Sequence, residues 1–367
     1  MEYIYQHSDW PNFVWNKGKV INLLGDVRNK QGRLLGRMES IGFDLQSSAV
    51  LETMTLEVVK SSEIEGEILS LEMVRSSVAR HLGIEIADPV ESGRNVEGIV
   101  DMMIDVTENY KTTLTAERLF AWHSSLFQAV SIRRPRITAG AWRKDMKGPM
   151  QVVSGAIGKE IIHFQAPAAS MVEQEMESFI KWFNGEDNND QIIKSAIAHL
   201  WFLTVHPFED GNGRIARALA GLLLARSDKS NQRFYSMSAQ IRTERKEYYR
   251  ILEVTQKGGL DITEWILWYL NCLMNAMESA ELVLKKVLHK AEFWRNNSDK
   301  TLNERQRSML NRLLEGFEGK LTTSKWAKIN KCSSDTALRD IQDLISKEML
   351  KKDEMAGGRS TNYVLLK

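Results

Sequence analysis

The chain contains one stretch in which polar residues separate two long apolar runs: His206-Pro-Phe-Glu-Asp-Gly-Asn-Gly-Arg-Ile-Ala-Arg217. One apolar, helix-like run, 192–205, leads into this stretch, and a second, 215–225, leads out of it. Because proline cannot continue a helix, the chain must turn directly after His206. The pattern therefore predicts two helices joined by a short polar loop, within a mainly α fold.

The residue types of this loop are typical of a site for phosphate groups. Gly211 and Gly213 allow successive backbone N–H groups to point into one concavity, and the following helix adds its positive end. Arg214 and Arg217 can make charge-assisted contacts with phosphate oxygens. The stretch indicates a polyphosphate site; the alternative is a plain helix corner with both arginines on a solvated face.

Two further residues of the loop carry chemistry. His206 can take a proton near neutral pH, which a hydroxyl nucleophile requires. Asp210 is a lone carboxylate, and one carboxylate with phosphate oxygens and waters is the usual ligand set of Mg²⁺.

Length and composition limit the remaining interpretations. A chain of 367 residues predicts two or three domains, and 49 basic against 48 acidic residues imply no overall attraction to nucleic acid or membrane. The only cysteines, Cys272 and Cys332, indicate neither a metal site nor a disulfide framework. There is no secretory signal pattern and no run of eighteen apolar residues, so we expect a cytoplasmic protein without a membrane partner.

The region 20–82 has a long-helical pattern that breaks near Gly42 and at Gly66. Beside the second break lies the acidic segment Ser61-Ser-Glu-Ile-Glu-Gly-Glu67. Taken alone, this segment is typical of a solvated acidic helix end.

The region 138–164 is the only one with clear strand and turn character in the first 300 residues. The sequence predicts a β-hairpin whose turn is Lys147-Gly-Pro149; a long connecting loop is the alternative.

The region after Leu302 predicts three helices, with Ser333 or Ser334 capping the last, and then a hairpin around Gly357-Gly358. This order is that of a winged helix-turn-helix, in which Lys331 and Arg339 lie near the recognition helix. Three acidic residues share that helix and weaken attraction to DNA phosphates: Asp335, Asp340 and Asp343. DNA binding and protein binding, for target recruitment or dimerisation, both stay open.

The stretch His206-Pro-Phe-x-Asp-Gly-Asn-Gly-Arg-x-x-Arg217 resembles the complete signature of the Fic domain family, whose members of this type transfer AMP from ATP to a protein hydroxyl. The resemblance covers about residues 95–275. It implies a Fic helical core with a β-hairpin flap. Together with the sequence patterns described above, it predicts a mainly α fold throughout and four regions in the chain. These are an N-terminal helical domain with an inhibitory motif (1–94), the Fic catalytic domain (95–275), a helical linker (276–300) and the winged helix-turn-helix domain (301–367).

The resemblance also assigns roles to residues. His206 is implied as the base that deprotonates a Ser, Thr or Tyr hydroxyl of a target protein, and Asp210 as the holder of Mg²⁺ between the α- and β-phosphates of ATP. The implied nucleotide-binding set is Gly211, Asn212, Gly213 and Arg214 at the phosphates, Arg217 at the γ-phosphate, Phe208 as loop anchor, and Tyr248 and Tyr249 near the adenine. Val152, Val153 and Ser154 are implied as the part of the flap that aligns the target by strand addition.

Ser61, Glu65 and Gly66 satisfy the inhibitory pattern Ser/Thr-x-x-x-Glu-Gly of the same family. By this resemblance Glu65 pairs with Arg217 and fills the γ-phosphate space. Two alternatives stay open: the same site acting as a hydrolase that removes AMP, and a DNA-binding regulator with a Fic sensor domain. A homodimer is the expected assembly, since dimers are common among relatives.

Overall fold

The structure, a computed structural model, describes residues 2–86, 88–127, 137–146, 148–155, 159, 161–186, 189–317, 319–353 and 361–366. The chain divides into two units, residues 1–281 and residues 282–367. The fold is mainly α, as predicted. Among the described residues, no helix combines the length and the apolar character needed to cross a membrane.

The first unit is helical apart from one two-stranded sheet. Its elements in chain order are a 3-10 helix Ile4–Gln6, α1 (Lys17–Glu39), α2 (Phe43–Ile64), α3 (Leu71–His81), α4 (Arg94–Glu108), α5 (Ala116–Phe127), β1 (Gln151–Ser154), β2 (Ile161–Gln165), α6 (Ala169–Asn184), α7 (Gln191–Val205), α8 (Asn212–Asp228), α9 (Met237–Thr243), α10 (Arg245–Gln256) and α11 (Thr263–Asn296), within which the second unit begins.

Helices α7 and α8 form the centre of this unit. Every residue of α7 from Ile192 to Val205 is buried, and so is every residue of α8 from Arg214 to Ala225. Each large aliphatic or aromatic side chain buried in this way stabilises the fold by about 1.5–3 kcal/mol. α7 ends at His206, whose φ of 51° is left-handed and turns the chain into Pro207. The polar loop is therefore held between two well-packed helices.

Helix α2 begins after Gly42 and ends before Gly66, so the two predicted helix breaks are confirmed. Its buried Glu57 carboxylate accepts hydrogen bonds from Ser236 Oγ (2.5 Å) and Ser238 N (3.1 Å), and also from Ser238 Oγ. A buried carboxylate is tolerated only when donors replace its water. Glu57 thus fixes α2 against the start of α9, about one helical turn before Ser61.

The predicted β-hairpin is present, but the predicted position of its turn is wrong. β1 and β2 pair antiparallel, with Gln151 opposite Gln165 and Ser154 opposite Ile161, so the turn lies between Ser154 and Ile161. Gly148 and Pro149 precede the first strand, and Lys147 lies outside the described residues. Val153 pairs with Ile162 and Val152 with Phe164, and these cross-strand pairs outweigh the Gly-Pro turn signal.

The second unit contains α12 (Glu304–Gly316), α13 (Thr323–Ile329), α14 (Ser334–Ser346), β3 (Leu350–Lys352) and β4 (Tyr363–Leu365) after the end of α11. The two strands pair antiparallel, and Ser333 Oγ caps α14 by accepting from Thr336 N at 3.2 Å. Asp340 is buried and accepts hydrogen bonds from Arg305 and Asn303. Arg339 is exposed. The Gly357-Gly358 turn lies outside the described residues, and the winged helix-turn-helix assignment stays a prediction.

Candidate active site

His206 stands at the junction of α7 and the polar loop and is half-buried. Its Nδ1 lies 3.3 Å from the carbonyl oxygen of Leu203. When Nδ1 carries the proton and donates to this carbonyl, Nε2 is the unprotonated nitrogen. That tautomer leaves a proton acceptor on the side of the ring away from the helix.

Arg143 holds the backbone around His206. Its Nε donates to the carbonyl of His206 at 2.8 Å, its backbone N–H donates to the carbonyl of Pro207 at 2.9 Å, and Nη2 lies 3.4 Å from the carbonyl of Val205. The guanidinium is buried and paired with Asp145 at 2.5 Å. One arginine therefore satisfies three successive carbonyls at the end of α7.

Phe208 and Asn212 fix the inner side of the loop. Phe208 is fully buried, and its ring stacks on that of His123 at 4.1 Å between centroids. The Asn212 amide accepts from Phe208 N (3.0 Å) and donates to Phe208 O (2.8 Å). Its side chain is thus engaged by the loop, so a phosphate contact at this position must come from the backbone N–H.

His123 is a buried core residue. Its Nδ1 accepts from Gly140 N at 3.0 Å, which leaves Nε2 to donate to the carbonyl of Asp210 at 3.2 Å. Through its contact with the Asp210 carbonyl, His123 holds the backbone of the polar loop in place.

The half-buried His206 and the buried His123 and His199 are neutral at pH 7. Burial lowers the pKa of His206 to about 4, where the nearby Arg143 acts in the same direction and the Leu203 carbonyl opposes it. Burial likewise lowers the pKa of His123 to about 4 and that of His199 to about 3. A neutral His206 has the form that can accept a proton.

These values predict acid destabilisation. The folded-state pKa of His123 and His199 lies below the ordinary 6.5, so the unfolded chain takes up protons first as the pH falls. The stability that this difference in pKa contributes is constant above pH 6.5. It is lost as the pH falls from 6.5 to the folded-state pKa, about 4 for His123 and about 3 for His199. We expect each histidine to lower the unfolding free energy by about 2 kcal/mol at pH 5 relative to pH 7. Urea unfolding at both pH values measures this, and the non-titrating His199→Gln variant should show a correspondingly smaller difference; an equal difference would contradict the assignment.

The start of α8 is an anion-binding end of a helix. Gly211 is its N-cap, with a left-handed φ of 81° and no side chain to cap the helix. The first N–H groups, those of Asn212, Gly213 and Arg214, therefore have no acceptor within the helix. They point, with the positive end of the helix dipole, at whatever lies before the first turn.

The carboxylate of Glu65 lies against this first turn. A Cβ atom at position 213 would overlap Glu65 Oε1, so only glycine permits this approach. The same Oε1 is 2.9 Å from Nη1 of Arg217. A negatively charged group from the end of α2 thus occupies the anion-binding end of α8.

All three nitrogens of the Arg217 guanidinium contact the end of α2. Its Nε donates to Ser61 Oγ at 3.0 Å and its Nη2 to Ser61 O at 2.9 Å, while Nη1 pairs with Glu65. Burial opposes the charge on Arg217, but the Glu65 carboxylate, with Tyr248 and Tyr249, outweighs burial, so the pKa of Arg217 is raised. The structure therefore brings together Ser61, Glu65 and Arg217, which are 156 residues apart at the widest.

A second ion pair, which the sequence analysis did not identify, lies beside the first. Arg214 Nη1 donates to Glu67 Oε2 at 3.0 Å. The signal in the sequence was a glutamate on each side of Gly66. The sequence analysis also did not identify Arg143 as a site residue. The signal that could have indicated it is a charged residue directly after the apolar segment Ala-Gly-Ala-Trp142.

The first turn of α8, with Arg214 and Arg217, forms the phosphate pocket. Asp210 directly precedes Gly211, the N-cap of α8, and is exposed. Its Oδ1 accepts from Gly211 N at 2.6 Å. An exposed single carboxylate beside a helix end suited to phosphate fits a hydrated Mg²⁺ that shares its ligands with phosphate oxygens. Asp210 is the residue that would hold it.

The two tyrosines differ in position. Tyr248 is buried, and its hydroxyl is 3.0 Å from His199 Nε2. Tyr249 is 38% exposed, and its hydroxyl lies 3.5 Å from the carbonyl of Ile64 at the end of α2. Tyr249 is thus the one of the pair open to an adenine ring.

The flap residues lie on β1. Val153 is exposed, and Ser154 Oγ is 2.6 Å from Nε2 of His163 on β2. His163 Nδ1 is in turn 2.8 Å from Glu253 of α10. These contacts tie the hairpin to α10, and Val153 and Ile161 are exposed.

Comparison with known proteins agrees with this geometry. Residues 113–224 match the model of the Fic/DOC family, and residues 3–84 match a domain of unknown function, DUF4172. The chain is similar to protein adenylyltransferase fic-1 of Caenorhabditis briggsae, with 29% identity over 66% of this chain and 43% of the relative. It is also 25% identical to a probable protein adenylyltransferase of Aquifex aeolicus, over 51% of this chain and 54% of the relative. The chain spans less than half the length of the first of these relatives.

Among solved structures, the fold is similar to that of a Fic family protein from Desulfovibrio desulfuricans G20. The TM-score is 0.55 at 19% identity, over 97% of this chain and 98% of that protein. The likeness covers both units of the chain, and the helix–loop–helix around His206 lies within the matched domain. The chain therefore contains a Fic domain, at residues 113–224.

Proposed function

We propose that this chain is an auto-inhibited protein adenylyltransferase, which transfers AMP from ATP to Ser, Thr or Tyr hydroxyls of target proteins and of itself. The observation that carries the proposal is the Glu65 carboxylate seated on the N-terminus of α8 and paired with Arg217. An anion subsite, two arginines and a neutral histidine meet in one pocket, and a carboxylate of the same chain occupies the subsite. The similar curated proteins are named adenylyltransferases, which supports the same chemistry.

In the proposed reaction, Nε2 of His206 takes the proton of the target hydroxyl. The hydroxyl oxygen bonds to the α-phosphorus, the bond from that phosphorus to the β-phosphate oxygen breaks, and pyrophosphate leaves. The N–H groups of α8 with Arg214 and Arg217 stabilise the negative charge on the phosphates. Asp210 would hold Mg²⁺, which supplies further charge neutralisation.

Arg143 acts in this reaction as a positioning residue. It fixes the carbonyls on both sides of the His206–Pro207 bond, and so fixes where the imidazole points. The flap contributes from the other side, since the exposed β1 side chains and strand edge suit an extended target segment.

Inhibition results because Glu65 and the γ-phosphate of ATP compete for Arg217. Glu65 makes with Arg217 the contact that a γ-phosphate would make, so a nucleotide cannot use Arg217 while Glu65 is bound. The closed arrangement is stabilised by Ser61 and by the Glu57 anchor on the same helix.

A second candidate function is removal of AMP from a modified protein. The Glu65 carboxylate acts on the pKa of His206, and a carboxylate near a neutral imidazole is an arrangement that can activate a water molecule. Release of AMP from a modified target by the unaltered chain would favour this function over transfer.

The test of the proposed function uses the full chain with Glu65→Gly and ATP carrying the label on either the α- or the γ-phosphate. We expect stable protein labelling from the α-labelled nucleotide, on the chain itself and on proteins of an added lysate. The γ-label should leave with pyrophosphate. Labelling from the γ-labelled nucleotide would instead indicate kinase chemistry, and labelling from neither would overturn the proposal.

The second unit is proposed as a binding module for DNA or protein, since Lys331 and Arg339 are both exposed on it. A salt-dependent gel shift on random duplex separates these two partners.

A further inference from the structure

The end of α2 is built so that two glutamates leave it in defined directions. Gly66 has a φ of 83°, its N–H donates to Glu63 O at 3.1 Å, and the N–H of Glu67 donates to Ser62 O at 3.0 Å. This is the Schellman helix end, in which a left-handed residue, usually glycine, is followed by one that commonly makes an apolar contact back to the helix. Here the following residue is Glu67, and a carboxylate replaces the apolar side chain.

The partner of Glu67 is the other arginine of the phosphate pocket. Arg214 Nη1 donates to Glu67 Oε2 at 3.0 Å, and the Arg214 guanidinium lies 5.4 Å from the centre of the Phe127 ring, which orients it. The buried Nε of Arg214 has no acceptor among the described residues. Arg214 is thus positioned for an anion and has donor capacity beyond the one glutamate.

We propose that Glu67 is a second inhibitory carboxylate, which occupies Arg214 and competes with the phosphates of a nucleotide for it. This inference rests on the proposed function, in which Arg214 and Arg217 bind nucleotide phosphates. Each arginine of the pocket then has its own glutamate, Glu65 for Arg217 and Glu67 for Arg214, and Gly66 between them sets both directions.

The two contacts differ in strength. The two glutamates are about equally exposed, Glu65 at 33% and Glu67 at 34%, but the Arg217 side chain is 1% exposed and that of Arg214 10%. The Glu65 contact is therefore the less screened by water, and the competition of Glu67 with nucleotide is the weaker of the two. Loss of Glu67 alone should therefore raise the affinity for ATP by about fivefold.

The experiment measures ATP affinity by calorimetry for five full-length proteins: the unaltered chain, Glu67→Gln, Glu65→Gly, the double variant, and Glu63→Gln as matched control. Glu63 lies at the same helix end but pairs with Lys60 and Arg242, away from the pocket arginines. We expect Glu67→Gln to lower the Kd for ATP about fivefold both in the unaltered chain and in the Glu65→Gly background. Glu63→Gln should leave the Kd unchanged.

Two results would overturn the inference while leaving the proposed function intact. One is an unchanged Kd for ATP in Glu67→Gln. The other is a gain that disappears in the Glu65→Gly background, because Glu67 would then only hold Glu65 in place. Absence of ATP binding in all five proteins would overturn the proposed function and this inference with it.

Discussion

Replacing His206 with alanine in a Glu65→Gly background is expected to lower the rate of AMP transfer by about 10³-fold, the typical contribution of a positioned general base. The imidazole is neutral at pH 7, because burial lowers its pKa to about 4, and its Nε2 is the unprotonated nitrogen when Nδ1 donates to Leu203. Alanine at this position removes the proton acceptor but leaves the N–H groups of α8 and the pocket arginines in place. Transfer from α-labelled ATP measures the rate.

The affinity for ATP separates this effect from damage to the pocket. We expect His206→Ala to bind ATP within about twofold of its parent, because no phosphate contact is assigned to the imidazole. His81→Asn is a matched control: this histidine lies at the end of α3, bonded to Asp101, outside the pocket. It should transfer AMP at the parent rate. Transfer at the parent rate by His206→Ala would remove this residue as the base.

Local patterns of the sequence were sufficient for the scaffold. The two apolar runs around the polar loop predict α7 and α8 because nearly all their side chains are buried, and Pro207 fixes where the first ends. The β-branched residues at 152–153 and 161–162 predict the hairpin. Its turn was misplaced because Gly148-Pro149 is the stronger local signal, while the pairing of Val153 with Ile162 is settled only between strands.

The residues that support the site were harder to predict. Arg143 acts on main-chain carbonyls 62 to 64 residues away, and such contacts leave no residue pattern at either end. Asn212 belongs to the signature, yet its side chain closes on the Phe208 backbone, which only the folded loop reveals. The contact of Glu67 with Arg214 depends on the left-handed conformation of Gly66, which the sequence alone does not give. Sequence patterns thus predicted the residues of the pocket better than the contacts among them.

Glu65→Gly is expected to raise AMP transfer by about 10- to 100-fold over the unaltered chain, including transfer to the chain itself. Arg217 is buried and is bound on three sides by Ser61 and Glu65, so the closed arrangement competes strongly with a γ-phosphate. The one-third exposure of Glu65 lowers this competition below that of a fully buried pair, which sets the upper end of the range. The change also removes the carboxylate that lies against Gly213.

Two matched variants separate the charge of Glu65 from the effect of glycine on the helix end. Glu63→Gly introduces the same backbone freedom two residues earlier, where the side chain pairs with Lys60 and Arg242. It should raise transfer far less than Glu65→Gly. Glu65→Gln keeps the size of the side chain but not its charge, and we expect activation because a neutral amide competes poorly with phosphate for Arg217. Equal label transfer from α-labelled ATP by Glu65→Gly and the unaltered chain would show that this carboxylate does not inhibit. Activation by Glu63→Gly alone would show that inhibition depends on the helix end rather than on Glu65.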